Sequence, residues 1–276
     1  MSRAIEDFVA SPVGAGVVTI MEWRAGNPEL ITHQAPLDPA SVERATENAR
    51  EMSYGELLET ILSAADMVGP FNPDQKTNIS SFLAQACERI EIAKVICNKF
   101  ADHLVDDIKR NSQEVLERGA WKMSVSFDGL VDLEEPSFVY EDVYADGQLT
   151  WAALWSTDPR YTEELVEYGA IKRGLRVTVP DNAHIYEIHE FEDWFYLIDS
   201  NPGNSTSKGI SPSWASIAEK YDAVHLSWAG FILAHDNYDK ASEQGIIPLS
   251  YWDHEGTMWL RPMFSPTKLA SPLKTC

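Results

Sequence analysis

His184-Ile185-Tyr186-Glu187-Ile188-His189-Glu190-Phe191-Glu192-Asp193-Trp194-Phe195-Tyr196-Leu197-Ile198 changes its period part-way along. His184 to Ile188 reads as a strand. From Phe191 onward, Phe191, Trp194, Phe195 and Ile198 recur at i, i+3, i+4 and i+7, which is one face of an amphipathic helix. A strand running straight into a helix is the building unit of an α/β region. The flanks repeat the alternation. Leu149 to Trp155 is apolar enough for a buried strand. Asp158 and Pro159 form an N-cap and N1 pair opening a helix with Tyr161, Leu165 and Tyr168 on one face. Leu175 to Val179 alternates as a strand and stops at Pro180.

Downstream, Asn201 to Ser213 is polar, with Gly203, Gly209 and several serines, and reads as a flexible connection. Pro212 starts a helix bearing Trp214, Ile217, Ala218 and Tyr221. Ala223 to Trp228, Ile246 to Tyr251 and Thr257 to Leu260 read as strands, and the tail Ser265 to Cys276 as extended. Seven of the nine tryptophans lie between Trp151 and Trp259. The expectation is a mixed α/β domain over residues 131–276 with an aromatic-rich core. The acidic stretch Asp128 to Gly147 marks its boundary, and Phe138, Tyr140 and Val143 could make a short strand there.

Residues 1–130 read as a helical domain with a small β element, Val17-Val18-Thr19-Ile20. Ala40 to Met52 is rich in Glu, Arg and Ala. Ser53 with Glu56 three residues on fits a capping box before Leu57, Leu58, Ile61 and Leu62. From about Asp74 to Arg118 there is no Pro and no Gly. Ile79, Leu83, Ala86, Ile90, Ala93, Cys97, Phe100 and Leu104 alternate spacings of four and three, a heptad seam. This predicts one long helix over about 74–118. It packs either on the preceding helix of its own chain or on a second copy in a homodimer. The fold class is therefore α+β or mixed α/β, with a helical N-terminal domain and a mixed-sheet C-terminal domain.

Composition narrows the function classes. The 276 residues are 44% hydrophobic, 11% aromatic and 24% charged, as in globular chains. Lys and Arg total 22 against 43 Asp and Glu, a net charge of −21. That field repels phosphate backbones and anionic lipid, and there is no basic patch, so no nucleic-acid partner is expected. No run approaches the roughly 18 apolar residues that a membrane helix requires, so no membrane partner is expected. The apolar stretch after Glu6 and Asp7 is short and broken by Pro12, Gly14 and Gly16, unlike a secretory signal. Cys87 and Cys97 read as small core hydrophobes, and Cys276 is terminal. Three cysteines without metal spacing fit a reducing cytoplasm.

None of the familiar catalytic motifs appears. Gly14-Ala15-Gly16-Val17-Val18-Thr19 lacks a third glycine and a preceding strand, so it is not a dinucleotide fingerprint. Polar groups instead collect at strand edges in the second half. They are Trp155-Ser156-Thr157-Asp158, Tyr221-Asp222-Ala223-Val224-His225 and Trp252-Asp253-His254-Glu255 before Thr257. Polar groups beside aromatics at strand ends are a common way to build a pocket. Roughly residues 150–261 resemble bacterial proteins without an assigned activity that share an L-W-S-x-P-like start, a W-x-x-[IV]-A-x-x-Y-D-[AG]-[VI] segment and a W-D-x-[ED] turn before the final strand.

A second resemblance is to ADP-ribosyltransferase domains. It implies NAD as cofactor, Trp155, Ser156 and Thr157 on the nicotinamide side, and His225 in the ligand site. It also implies Glu255, with Asp253, as the carboxylates that stabilise an oxocarbenium-like centre. The family's first-strand Arg or His is absent here, and Ser205-Thr206-Ser207 falls in the Gly/Ser stretch instead of on a strand. His184, Glu187 and His189 sit close enough in sequence to suggest a metal site. On a strand only Glu187 and His189 share a face, so His225 or Asp253 would have to join them. No metal is expected. The non-enzymatic reading is an acidic interaction protein, antitoxin-like or phage-encoded, that binds a basic protein partner by long-range attraction.

Overall fold

The computed structural model describes residues 3–26, 38–68, 83–104, 113–118, 139–140, 151–152, 154–157, 171–177, 181–235, 237–249, 252, 255–260 and 266–268. It is a mixed α/β structure. Helices occupy the N-terminal part, and a mixed sheet with small helices occupies the C-terminal part. The expected boundary between residues 130 and 131, and the helix expected after Asp158-Pro159, lie outside the described residues.

The helical part begins with α1 (Arg3–Ala10) and α2 (Pro12–Arg24). The expected β element Val17 to Ile20 is therefore helical. Ser11 caps α2 by accepting from Gly14 N, and Pro12 sits where a missing N–H costs nothing. Every residue from Pro12 to Glu22 is buried, so α2 is a core helix that is apolar nearly all round, and burial overrides the strand preference of its β-branched run. Gly16 permits the close approach to the fourth helix, since a Cβ there would lie 3.0 Å from Ala64 Cβ. The next two helices are α3 (Pro39–Glu51), capped by Asp38, and α4 (Tyr54–Val68). The predicted capping box is present. Glu56 N–H donates to Ser53 Oγ, and Ser53 N–H donates to Glu56 Oε2. The Ser53 backbone and hydroxyl bonds hold the Glu56 carboxyl below its ordinary range.

The single long helix over 74–118 does not exist. Residues 83–88 are helical, Arg89 is a turn, and α5 (Ile90–Leu104) follows. On either side of Arg89 the bonds are of i→i−3 type, Arg89 N to Ala86 O and Ile92 N to Arg89 O. The cause is polar. Arg89, fully buried, pairs through Nε with the equally buried Glu22 of α2, and Ser41 Oγ of α3 donates to the other Glu22 oxygen at 2.6 Å. Past the turn the buried face is Ile92, Ala93, Ile96, Phe100 and Leu104, while Ile90 and Cys97 are half-buried. Cys87 is exposed, so it is not a core residue. Burial pushes the Cys97 thiol up to about 11. The end of the expected helix is strand β1 (Gln113–Arg118).

Among the described residues, ten further strands follow: β2 (Val139–Tyr140), β3 (Trp151–Ala152), β4 (Leu154–Thr157), β5 (Ile171–Val177), β6 (Ile185–Ile188), β7 (Pro202–Thr206), β8 (Gly209–Pro212), β9 (Ala223–Leu226), β10 (Gly256–Trp259) and β11 (Pro266–Lys268). The main sheet has the order β11-β5-β1-β4-β10-β9-β6. Its β6–β9 pair is parallel and its other pairs are antiparallel. Helix α6 (Phe191–Ser200) follows β6, with Phe191, Trp194, Leu197 and Ile198 buried, close to the predicted face. Helix α7 (Trp214–Lys220) is capped by Ser213.

Three expectations for this region need correction. Asn201 to Ser213 contains the hairpin β7–β8, so Ser205 and Thr206 do lie on a strand, though outside the main sheet. Of the strand expected from Ile246 to Tyr251, the described residues 246–249 hold only isolated bridges at Ile246 and Leu249. The strand predicted through Trp228 ends at Leu226, because Ser227 caps α8 (Trp228–Ala234) by accepting from Gly230 N; α9 (Tyr238–Gln244) comes next. One buried apolar cluster runs from Ile5 through the helices to Leu260, and α8 packs on α2. Among the described residues, no single helix is long and apolar enough to cross a membrane. Only the pair formed by the first two helices passes that test, bent by 82°.

Candidate functional site

Three i, i+2 pairs meet at one end of the sheet: Glu187 with His189, His225 with Ser227, and Glu255 with Thr257. Glu187, His225 and Thr257 lie on β6, β9 and β10, and His189, Ser227 and Glu255 stand one residue beyond the ends of those strands. The register then aligns the pairs. Glu187 stands opposite His225 across β6–β9, Thr257 opposite His225 across β9–β10, and Thr257 opposite Ser156 across β10–β4. The result is a transverse row, Glu187–His225–Thr257–Ser156, over four adjacent strands. The carboxyl ends of β6, β9 and β4 and the start of β10 share this sheet end. Beyond the carboxyl ends of parallel strands is where open α/β sheets form ligand crevices.

The side chains form an alternating chain of acids and imidazoles. Glu255 Oε1 lies 3.7 Å from His225 Nδ1, and His225 Nε2 lies 3.9 Å from Glu187 Oε2. The same Glu187 oxygen is 3.6 Å from His189 Nε2. Each ring also meets a hydroxyl through Nδ1. His225 Nδ1 is hydrogen-bonded to Thr257 Oγ1 at 2.9 Å, and His189 Nδ1 to Ser227 Oγ at 2.9 Å. The chain runs from the interior to solvent. The His225 and Glu255 side chains are 3% and 4% exposed, whereas Glu187 and His189 are 25% and 33% exposed.

The surroundings fix this gradient. Burial, and then the charge of His189, push the His225 imidazole down to about 3, against a smaller upward pull from a Gly256 backbone hydrogen bond. His225 is therefore neutral at physiological pH. Asp193 Oδ2 accepts from His189 N and Glu190 N, which ties the exit from β6 to the first turn of α6. Gly230 lets the first turn of α8 press against the Ile188 carbonyl, which a Cβ at that position would strike. Ser227 also donates to Ile188 O, so β6 and β9 are locked together beside His189.

Two of the candidates chosen from sequence, His225 and Glu255, do come together here. Ser156 and Thr157 stand at the same sheet end by register, and Trp155, opposite Met258, falls in the neighbouring row. Asp253 lies outside the described residues. Four partners escaped selection as an acid–base set: Glu187, His189, Ser227 and Thr257. The repeated i, i+2 spacing of polar residues at three strand edges is the signal that could have found them. His184 is not part of the cluster; its Nδ1 bonds to Lys220 O at 2.7 Å. Among the described residues, no three His, Cys, Asp or Glu side chains stand so as to hold one metal ion. Comparison with protein families, with curated proteins and with solved structures returns no match.

Proposed function

We propose that this sheet end is the catalytic site of an NAD-utilising group-transfer enzyme of the ADP-ribosyltransferase-like kind, with a macromolecular acceptor. The observation that carries the reading is the convergence of Glu187, His189, His225 and Glu255 at the carboxyl ends of β6 and β9. In the reaction, the bond from ribose C1′ to the nicotinamide nitrogen breaks, and its electron pair leaves on nicotinamide. The acceptor's nucleophilic atom bonds to C1′, and its proton passes to a base. Positive charge builds on the ribose as the first bond breaks. Glu187 is the carboxylate that a ligand meets from solvent. Glu255 stands buried behind His225.

The test is nicotinamide release from NAD by the purified protein, followed with and without a protein acceptor mixture. Release well above the buffer rate is expected, and a protein that neither binds nor cleaves NAD contradicts the proposal. A second reading rests on a groove where Val42, Glu43 and Arg50 of α3 face Glu88 and Glu91, so that three carboxylates outnumber one guanidinium. In a chain of net charge −21, that face suits the basic segment of a partner protein. This non-catalytic reading takes over if the NAD assay fails.

A further inference from the structure

One residue outside the acid–imidazole chain grips the bend from β6 into α6 at three points. Asp193 sits in the first turn of α6, where a carboxylate can reach back to the N–H groups that precede the helix. Its Oδ2 accepts from His189 N at 2.8 Å and from Glu190 N at 3.1 Å. Its main-chain carbonyl accepts from the Tyr186 hydroxyl at 2.8 Å. Backbone N–H groups only donate and a carbonyl only accepts, so donor and acceptor are fixed in all three contacts. Burial, and then the Asp193 carboxylate, push the Tyr186 phenol above its ordinary range, so it keeps the proton it donates. From the other side, Ser227 N donates to Ile188 O at 3.1 Å, and a Cβ at Gly230 of α8 would strike that same carbonyl. Glu187 therefore lies within a segment whose other residues, Tyr186, Ile188, His189 and Glu190, are each held by α6 or by the start of α8.

We propose that Asp193 is a positioning residue of this sheet end, clamping Tyr186, His189 and Glu190 so that the Glu187 carboxylate and the His189 ring stay together at its solvent side. The separation that the clamp sets is the 3.6 Å between His189 Nε2 and Glu187 Oε2. At that distance a carboxylate favours the protonated ring, whichever nitrogen holds the proton of the neutral form. The consequence for group transfer rests on the functional reading above, since the carboxylate that a ligand meets keeps its place only while the exit of β6 does. The other titratable groups around the pair are His225 from β9, with Glu255 of the β10 edge behind it, and Asp193 itself from α6. Asp193 brings a charge as well as a grip, and the two can be removed separately.

Histidine NMR titration of labelled full-length protein makes that separation without any activity. The His189 signals are assigned from a His189→Gln sample, and the titration midpoint is read with and without Glu187→Gln in each background. In the wild-type background Glu187→Gln should lower the His189 midpoint by roughly 0.5 pH unit or more, because an opposite charge within about 4–6 Å favours the protonated ring. Asp193→Asn removes the charge but keeps a carbonyl oxygen for both N–H groups, so the drop should be retained there. Asp193→Ala removes the grip, and the drop should shrink to less than about half, as expected when two groups cease to be coupled. Tyr186→Phe breaks only the third contact and should also shrink the drop, and it stands in if Asp193→Ala fails to fold. A full drop in both the Asp193→Ala and Tyr186→Phe backgrounds, a drop lost equally in Asp193→Asn, or no drop in the wild-type background overturns the proposal. Where the wild type also cleaves NAD, Asp193→Ala should lower kcat about 10-fold or more with KM little changed, and Asp193→Asn should recover most of it. Equal losses of kcat in the two variants overturn the positioning role in transfer. A protein that shows the expected pattern of midpoints but does not cleave NAD supports the clamp and refutes the transferase reading alone.

Discussion

Glu22 and Arg89 in the helical part and the Glu187–His189–His225–Glu255 chain at the sheet end are both buried or half-buried ionic clusters, but they are finished differently. The helical pair is sealed. Both side chains have no exposure, Ser41 completes Glu22, and Gln85 O accepts from Arg89 Nη1 at 3.1 Å. The sheet-end chain is left open. Its acid–imidazole separations of 3.6 to 3.9 Å are too long for hydrogen bonds, and two of its four members reach solvent. A buried pair of this kind sets chain geometry. A graded chain of acids and imidazoles with one wet end can exchange protons and favour positive charge in a ligand. Perturbed ionisable groups of that kind concentrate at functional sites.

Breaking the sealed pair should produce the largest effect. Arg89→Met leaves the Glu22 carboxylate buried without its partner, and about 3–5 kcal/mol of unfolding free energy should be lost in urea titrations. Adding Glu22→Gln should restore much of it, since the uncompensated charge is then gone. If Arg89→Met costs less than about 1 kcal/mol, the pair does not shape the turn, and the contrast with the sheet end loses its structural half.

A smaller effect probes His225. Its imidazole titrates near 3 when folded and at 6.5 as an ordinary histidine, so between those values the unfolded chain binds the extra proton. Its contribution to stability is therefore present above about pH 6.5 and declines as pH falls toward 3. At about 1.4 kcal/mol per pH unit, the wild type should lose roughly 2 kcal/mol more between pH 6 and pH 4.5 than His225→Gln. Parallel stability–pH curves for the two proteins would show that His225 is protonated in the fold and that the sheet end is wetter than its 3% exposure implies.

Local periodicity reveals which residues are apolar on one side, but not what polar partner waits across the core. Phe191, Trp194 and Ile198 form the predicted face because α6 is short and packs along its whole length. The heptad from Ile79 to Leu104 carried the same kind of signal. It was interrupted because Arg89, lying outside the seam, meets a glutamate 67 residues away. Val17 to Ile20 looked like a strand because β-branched residues favour strands, yet complete burial among other helices made them a core helix. At the site, His225 and Glu255 were legible as polar groups at strand edges. Glu187 and His189 were legible only as sharing a face, because the register that brings β9 and β10 beside β6 depends on crossovers that no local pattern encodes.

Nicotinamide release measured in parallel for wild type, Glu187→Gln and the paired groove variant Glu88→Gln/Glu91→Gln tests the central claim most directly. If chemistry belongs to the open sheet-end cluster, Glu187→Gln should lower the rate on the order of 100-fold, the usual size for loss of an electrostatic stabiliser, while its melting temperature stays within a few degrees of wild type. The groove variant, two negative charges poorer, should stay within about twofold of wild type, since exposed charges are strongly screened by salt. Equal rates for wild type and Glu187→Gln, or an equal loss in the groove variant, would contradict the account.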